Sequence, residues 1–401
     1  MSLALRAKFK RRDSHFQSLV AGNHVELMHD GDMALAAMAD AIRKAEKEIL
    51  LEMYWFASDT IGRQIADLLA DKARAGVAVK VLYDAVGSWE TDERMFDQLR
   101  KAGCEVREYH PVAPWRRRFR LNLVNYRDHR KILVVDGRIG ITGGVNICDL
   151  WTCSDDGSRG WRDDAIQIEG AAVSQLRDVF FDTWQSVVAV DENSPQSEFV
   201  KSGALPSSGD AIHQDASDAS CRVAVLANRY RGQKAVIRRA YVTQIRNARK
   251  SIYISNSYFV PDRTSCRALA DAVRRGVDVR VLVPEMCDVM PVYFASRWMF
   301  GWLLRRGIKI YLWPRSVLHA KTAVIDGFWS TIGTHNFDHR SWRNNLEVNV
   351  AVEDAKVGQA MQAQFMRDLE QSQPVDLHTW RFRPLYIRVV ERFFYAFRWL
   401  L

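Results

Sequence analysis

Two stretches of this chain repeat one another at a fixed offset, and that repetition constrains the fold more than any other feature of the sequence. His129-Arg-Lys131-Ile-Leu-Val-Val-Asp136-Gly137 is followed by Gly143-Gly144-Val-Asn146. His319-Ala-Lys321-Thr-Ala-Val-Ile-Asp326-Gly327 is followed by Gly333-Thr334-His335-Asn336. Every matched position differs by 190 residues, so the internal spacing is identical. A chain built this way is a duplication carrying one chemical motif in each half.

The flanking sequence repeats in the same order. Helical spacing through Met33–Ile42 leads into the apolar run Lys47–Phe56, and Val236–Ala248 leads into Lys250–Phe259. A second helical stretch, Ile65–Ala75, is closed by Gly76 and followed by the strand-like Val77–Leu82. Its counterpart is Leu269–Arg275, Gly276 and Val277–Leu282. Glycine just past a helix permits the left-handed turn that ends it. Short β-branched runs alternating with helices predict α/β layering in each half. The polar stretch around 191–220 reads as a linker. The expected organisation is a basic segment over 1–22, a first α/β domain over 23–190, that linker, a second α/β domain over 221–374, and an aromatic, basic segment over 375–401.

On a strand, a His and a Lys two residues apart share one face. Lys131 and Lys321 are therefore expected beside their imidazoles, and Asp136-Gly137 and Asp326-Gly327 look like tight turns between two strands. The two aspartates admit two readings at this point, as members of the reactive set or as turn-formers by their own side-chain chemistry. Phosphodiester transfer without a metal needs a nucleophile, an acid for the leaving alkoxide, and fixed positive charge against the non-bridging oxygens. One motif supplies half of that set. Two motifs facing one cleft supply all of it.

The chain has 401 residues, enough for two domains of ordinary size. With 48% hydrophobic and 26% charged residues it is a folding rather than a disordered composition. A net charge of +9 favours a polyanionic partner, and nucleic acid and an anionic membrane surface both satisfy that. Thirteen Trp lean toward the membrane, since Trp suits sites apolar at one end and wet at the other. No run reaches the roughly 18–20 apolar residues of a spanning helix; the best, Val289–Leu304, is broken by Arg297. The basic start of the chain lacks an apolar core segment and a cleavage site, so no secretory signal is expected. The six cysteines form no CxxC pair or His/Cys cluster, which predicts reduced thiols and no metal site.

With these residues in view, the sequence resembles the phospholipase D superfamily, whose signature is His-x-Lys-x4-Asp-x6-Gly-Ser/Gly/Thr-x-Asn in two copies. Both copies here match, with Gly144 and Thr334 where many members carry Ser. The resemblance extends over about residues 24–370. Within the superfamily the chain looks most like bacterial cardiolipin synthases of the type lacking N-terminal transmembrane helices. Glu52-Met-Tyr-Trp-Phe56, Trp161-Arg-Asp163 and Asn345-Leu-Glu347-Val-Asn349 carry that likeness. The resemblance implies two tandem phospholipase-D-like domains, each a mixed β-sheet flanked by helices, forming one central active site that needs no cofactor or metal.

It also implies a division of labour. His129, Lys131, Asp136, His319, Lys321 and Asp326 would form the catalytic set, with His129 as nucleophile and His319 as acid and base. Asn146, Asn336 and Thr334 would bind the phosphate. Glu347 would orient His129, and Asp163 would orient His319, crossing between halves. The implied reaction joins two phosphatidylglycerols into cardiolipin plus glycerol through a phosphohistidine. A hydrolytic phospholipase D and a nuclease or DNA-repair phosphodiesterase are the alternatives. The implied partners are anionic phospholipid and a membrane surface, with no nucleic acid, at the cytoplasmic face of the bacterial inner membrane.

Three segments bear on substrate. Trp115-Arg-Arg-Arg-Phe-Arg120 reads either as a solvated basic loop or as an attractor of anionic headgroups. Met290–Leu304 reads as a core helix or as an apolar lip for acyl chains. Leu385–Leu401 places Arg388 and Arg392 one turn apart among Phe393, Phe394, Phe397 and Trp399, the pattern of an interfacial helix or of one docked on the core.

Overall fold

In the computed structural model the described residues are 18–113, 120–153, 159–192, 221–228 and 235–400. The basic loop of 115–120, except Arg120, lies outside them, as do residues 1–17 of the N-terminal segment and residues 193–220 of the expected linker.

The first half runs β1 (Val20–Met28), α1 (Gly31–Lys44), β2 (Glu48–Met53), α2 (Thr60–Arg74), β3 (Ala78–Asp84), α3 (Glu93–Lys101), β4 (Glu105–Tyr109), β5 (Lys131–Val135), β6 (Ile139–Gly143), β7 (Ala165–Gly170) and α4 (Val173–Glu192). The second runs β8 (Cys221–Asn228), α5 (Val236–Asn247), β9 (Ser251–Asn256), α6 (Arg263–Arg274), β10 (Asp278–Pro284), α7 (Met290–Leu304), β11 (Lys309–Trp313), β12 (Lys321–Ile325), β13 (Trp329–Gly333), α8 (His339–Arg343), β14 (Glu347–Glu353) and α9 (Ala355–Glu370). A short β15 (Gln373–Pro374), α10 (Leu377–Arg381) and α11 (Leu385–Ala396) follow.

The strand order is β15-β11-β10-β9-β12-β13-β14-β8-β1-β7-β6-β5-β2-β3-β4. Read outward from the β8–β1 junction, the two halves have the same order, so the sheet has a pseudo-two-fold axis between them. In each half three strands are parallel (β2-β3-β4 and β9-β10-β11) and joined through helices, as parallel crossovers require. The motif strands β5 and β12 run antiparallel to β2 and β9 at the inner edge of each parallel set. Their residues are buried throughout, matching the apolar runs Ile132–Val135 and Ala323–Ile325.

The halves share a core. Ile132, Val134, Ile166 and Leu176 of the first pack in one cluster with Val225, Val324, Val348 and Phe365 of the second. Each such fully buried aliphatic side chain contributes about 1.5–3 kcal/mol relative to exposure. The helices α4 and α9 supply much of this cluster, and separate clusters fill the outer layers of each half. Asp side chains cap several helices, as Asp30, Asp59, Asp92, Asp262 and Asp354 accept from the first-turn N–H groups.

The C-terminal segment is not a separate body. Trp380 of α10 is buried in the second half's outer core, and α11 lies on α7, where Phe294 stacks with Phe394. The apolar α7 is thus chiefly a packed helix, and its first turn lies at the cleft described next. Among the described residues no helix is long and apolar enough to cross a membrane.

Candidate active site

Each motif histidine is positioned by the opposite half. The residues before β5 cross over: His129 N donates to Leu346 O at 3.0 Å and Leu346 N to Arg127 O at 2.9 Å. The reciprocal crossing has His319 N donating to Arg162 O at 2.8 Å and Arg162 N to Val317 O at 2.9 Å. These two parallel bridges, Asp128 with Leu346 and Arg162 with Leu318, bring both imidazoles to one place.

Both line the same cleft, a cavity of about 630 Å³. His129 Nδ1 lies 3.0 Å from Glu347 Oε2, and His319 Nδ1 lies 2.7 Å from Asp163 Oδ2. Each carboxylate comes from the half that does not hold its histidine. With Nδ1 engaged in this way, the Nε2 atom of each ring is left for chemistry. Arg162, the competing partner for Asp163, instead binds Asp164 at 2.9 Å and Asp368 at 2.7 Å.

The carboxylates are themselves held by different parts. The hydroxyl of Thr334 donates to Glu347 Oε2. Gly144, the matching residue of the first half, has no hydroxyl to offer, and the indole Nε1–H of Trp151 donates to Asp163 Oδ2 at 3.0 Å instead. Rings of Trp151 and Trp161 flank His319 at 5.3 and 5.5 Å, and Tyr54 meets His129 edge-on at 4.9 Å.

Lys131 and Lys321 are buried, and each Nζ donates to the carbonyl of its own motif histidine. Each also lies over a tyrosine, Lys131 5.0 Å from the Tyr54 ring and Lys321 5.9 Å from the Tyr258 ring. Asn146 and Asn336 both line the cleft. Asn146 Oδ1 accepts from Trp55 N at 3.2 Å, leaving its NH2 as the free end. Tyr258, which donates to Asp288 Oδ2 at 2.6 Å, adds a carboxylate to the rim. Among the described residues no three His, Cys, Asp or Glu side chains converge as metal ligands.

Burial sets the protonation states. It opposes ionisation of Glu347, yet the adjacent His129, with help from His335 and the Thr334 hydroxyl, brings that carboxyl down to about 2. Asp163 is pushed up to about 6 by burial, only partly offset by Lys321 and by the Trp151 N–H. Burial lowers both imidazoles, and the two lysines add to it, so both rings are neutral at rest. A neutral Nε2 is the nucleophilic form. The lysines are pushed down as well, Lys131 to about 7 and Lys321 to about 8, with burial the largest cause in both. An arriving phosphate anion favours the charged forms of all these bases.

Three of the expected site residues make other contacts in the structure. Asp136 and Asp326 were placed in the catalytic set, but they stand just past the far ends of β5 and β12, seven residues from the histidines and roughly 23 Å of extended chain away. Both have left-handed backbones, φ 53° and 57°, each followed by a glycine at 64°, as a two-residue hairpin turn demands. The Asp136 carboxylate accepts from the N–H groups of Glu46, Lys47 and Glu48 at 2.7–2.9 Å. Asp326 accepts from those of Arg249, Lys250 and Ser251 at 2.7–3.2 Å. They tie each hairpin to the start of the neighbouring strand. Thr334, expected on the phosphate, is fully buried and spends its hydroxyl on Glu347, with a second contact to Val348 O at 3.3 Å.

Trp151, Tyr54 and Tyr258 were missed from sequence. Nothing in the local pattern marks Trp151, because its role depends on the absence of a side chain at Gly144, near it only in space.

The family profile described as cardiolipin synthase, PLD-like domain, matches residues 38–180 and 241–369. A cardiolipin synthase of Geobacillus sp. (strain WCH70) is 36% identical over 91% of this chain and 70% of its own length. Cardiolipin synthase 2 of Bacillus anthracis is 34% identical over 90% of this chain and 68% of its own length. The crystal structure of phosphatidylserine synthase from Haemophilus influenzae superposes with a TM-score of 0.69, covering 98% of this chain and 100% of that one at 16% identity, which shows a common fold. On a profile matching both motif-bearing halves and relatives this similar along most of its length, the chain belongs to the cardiolipin synthase, PLD-like family of the phospholipase D superfamily.

Proposed function

We propose that this protein is a phosphatidyltransferase that joins two phosphatidylglycerol molecules into cardiolipin and free glycerol. The observation that carries the reading is the crossed pair of imidazole–carboxylate contacts, with both histidines lining one cleft. His129, beside the fully ionised Glu347, is the nucleophile, and its Nε2 attacks the phosphorus of the first lipid. The bond from phosphorus to the headgroup glycerol oxygen breaks, and His319, protonated once the anionic phosphate is bound, gives its Nε2 proton to that oxygen. Glycerol leaves, and the phosphatidyl group stays on His129. His319 then takes the proton from a headgroup hydroxyl of the second phosphatidylglycerol. That oxygen attacks phosphorus, the phosphorus–nitrogen bond breaks, and cardiolipin is released.

Lys131, Lys321 and the amides of Asn146 and Asn336 hold the non-bridging oxygens through the reaction, an arrangement suited to charge that builds in the transition state. Glu347 and Asp163 keep each imidazole in the tautomer with Nδ1 protonated. No step requires a metal.

The protein works at a membrane surface, which it meets through α11. One side of that helix is fixed to α7, and the other exposes Leu385, Tyr386, Val389, Phe393 and Phe397, each more than two-fifths accessible. An apolar face of this kind suits the boundary between headgroups and acyl chains. The net charge of +9 favours an anionic leaflet, and we place the protein on the cytoplasmic face of a bacterial inner membrane. Incubating the purified chain with phosphatidylglycerol vesicles and analysing lipids by mass spectrometry tests the reaction. Cardiolipin and glycerol in equal amounts are expected. Phosphatidic acid in place of cardiolipin would identify a hydrolase, and no turnover above a His129→Ala control would end the proposal.

A further inference from the structure

Among the described residues there is a second cavity, larger than the catalytic cleft. It is a groove of about 1230 Å³ between α6, α7 and the α10–α11 segment, and it shares no lining residue with the cleft. Eight arginines and one aspartate line it.

The arginines come from α6, α10 and α11 and from the turns just past α7 and α10, and converge. On α6, Arg263, Arg267 and Arg274 are spaced four and seven residues apart, which puts them on one face. Arg274 is held by Asp271, the groove's single carboxylate. Arg263 and Arg267 are exposed and have no acidic partner among the described residues, and the same holds for Arg305 just past the end of α7 and Arg388 on α11. Four free guanidinium groups around one concavity repel one another and gain nothing for the fold. They are suited to a bidentate oxyanion such as phosphate.

The walls are aromatic. Trp298 and Trp302 of α7 and Trp380 of α10 line the groove. Arg306 lies 3.6 Å over the Trp302 ring and Arg383 3.7 Å over the Trp380 ring, so indole faces and guanidinium planes alternate along it. The rim runs directly into the exposed apolar side of α11, since Arg388 stands between Tyr386 and Val389, and Phe382 is 75% accessible between Arg381 and Arg383. Both Arg388 and Tyr395 of α11 line the groove, and Leu400, four residues beyond the end of that helix, lines the catalytic cleft. The C-terminal segment thus touches both the arginine groove and the active site.

We infer that this groove is a second, non-catalytic lipid site, which holds the phosphate headgroup of an anionic phospholipid with its acyl chains along the exposed side of α11. Nucleic acid is the other polyanion a basic groove can take, but a phosphate site that opens onto a strip of Phe, Leu, Tyr and Val matches a molecule with a charged head and an apolar tail. The inference rests on the proposed membrane function for its choice of ligand, and its test does not depend on turnover.

The test compares the full chain with the double variant Arg267→Glu, Arg305→Glu, both exposed residues outside the cleft, and with Arg94→Glu on α3 as a charge control. Binding is measured by co-sedimentation with phosphatidylcholine vesicles, with vesicles containing one part in five phosphatidylglycerol, and with single-stranded oligonucleotide. The double variant is expected to lose at least tenfold in affinity for the anionic vesicles, to bind neutral vesicles as before, and to turn over monomeric dihexanoyl phosphatidylglycerol at the unaltered rate. Arg94→Glu is expected to lose less than twofold. Undiminished binding of the double variant to anionic vesicles overturns the inference, as does an equal loss with Arg94→Glu. A loss seen only with oligonucleotide assigns the groove to nucleic acid and overturns it too. Absence of cardiolipin synthesis in every variant, with the binding difference intact, would count against the proposed reaction and not against the groove.

Discussion

The Asp163 carboxylate occupies the space that a side chain on Gly144 would need: a Cβ built there falls 2.1 Å from Oδ1 and 2.5 Å from Oδ2. Asp163 cannot retreat without releasing His319 and the Trp151 indole, which it holds at 2.7 and 3.0 Å. Gly144→Ala and Gly144→Ser are therefore expected to displace the orienting carboxylate, although serine would restore a hydroxyl common at this motif position. Displacement of a catalytic group by about 1 Å costs on the order of 10²-fold in rate. Transfer assays should show a loss of that size with the melting temperature little altered. Full activity in Gly144→Ser would mean that Asp163 does not orient His319.

Trp151→Phe makes a milder, pH-dependent cut at the same place. Asp163 must be ionised to accept from His319, and burial has already raised it to about 6. Activity of the unaltered protein should thus fall as the pH drops through about 6, with no contribution from Glu347, which stays ionised down to about 2. Removing the indole N–H takes away a hydrogen bond that favours the ionised form, worth about 1 kcal/mol. The acid limb of the rate profile should then move to higher pH by somewhat less than about one unit. Thr334→Val, the matching cut beside Glu347, should leave that limb in place, because Glu347 begins so far below it. Identical shifts in both variants would contradict this asymmetry.

What the sequence made legible follows from what its motifs are. The duplication shows in spacing alone, and Ile132–Val135 and Ala323–Ile325 read as strand segments because they are short apolar runs rich in β-branched residues. Glu347 and Asp163 were reached through a family resemblance, since no local pattern says that a carboxylate crosses to the other half. Of the two readings open for Asp136, its contacts support the turn-former, since it holds a hairpin, and Thr334 gives its hydroxyl to a carboxylate, a contact that no local pattern marks. The arginine groove could not be read at all. Its residues lie between 261 and 395 on four elements, and only the packing of α11 on α7 brings them together.

The lysines set the alkaline side of the profile. In the free protein Lys131 and Lys321 titrate at about 7 and about 8, mainly through burial. As pH rises through that range the cleft loses the positive charge that attracts phosphate, so kcat/KM, which reports the free protein, should decline above about 7. Bound phosphate favours the charged ammonium groups, and kcat should hold to higher pH. Parallel decline of the two parameters would show that these lysines do not meet the substrate phosphate.

Asp136→Asn and Asp326→Asn should separate stability from chemistry. Asparagine tolerates the left-handed backbone of the turn, so the substitution tests the carboxylate itself. Each carboxylate accepts three backbone N–H groups, and weakening that set should cost about 1–3 kcal/mol of stability with kcat preserved. For Asp136 the pH dependence has a definite sign. Burial works slightly against the charge, but the N–H groups of Glu48, Glu46 and Lys47 hold the carboxyl below its ordinary value of 3.8. Its stabilisation is therefore complete above the unfolded value near about 3.9 and disappears as pH falls through the lower, folded value. A kcat reduced by orders of magnitude in a fully folded Asp136→Asn would return this residue to the catalytic set.

Glu391 tests whether α11 is fixed in place or merely resting on the surface. It is fully buried, accepting from Arg383 Nη2 at 2.6 Å and from Arg297 Nε at 3.4 Å, and so pins the middle of α11 to α7. Glu391→Ala leaves two guanidinium groups facing each other without their carboxylate, and breaking a buried pair in this way costs about 3–5 kcal/mol. Because the cost falls on a terminal helix rather than on the shared core, the expected result is local release of α11, with faster hydrogen exchange over 385–396 and little change over β5 and β12. Release would detach the exposed aromatic face from the body of the protein, so turnover on vesicles should fall at least tenfold, while turnover of monomeric short-chain lipid should be retained. Equal losses on both substrates would place Glu391 in support of the catalytic cleft instead, and wild-type exchange over 385–396 would show that the apolar contacts with α7 hold the helix without it.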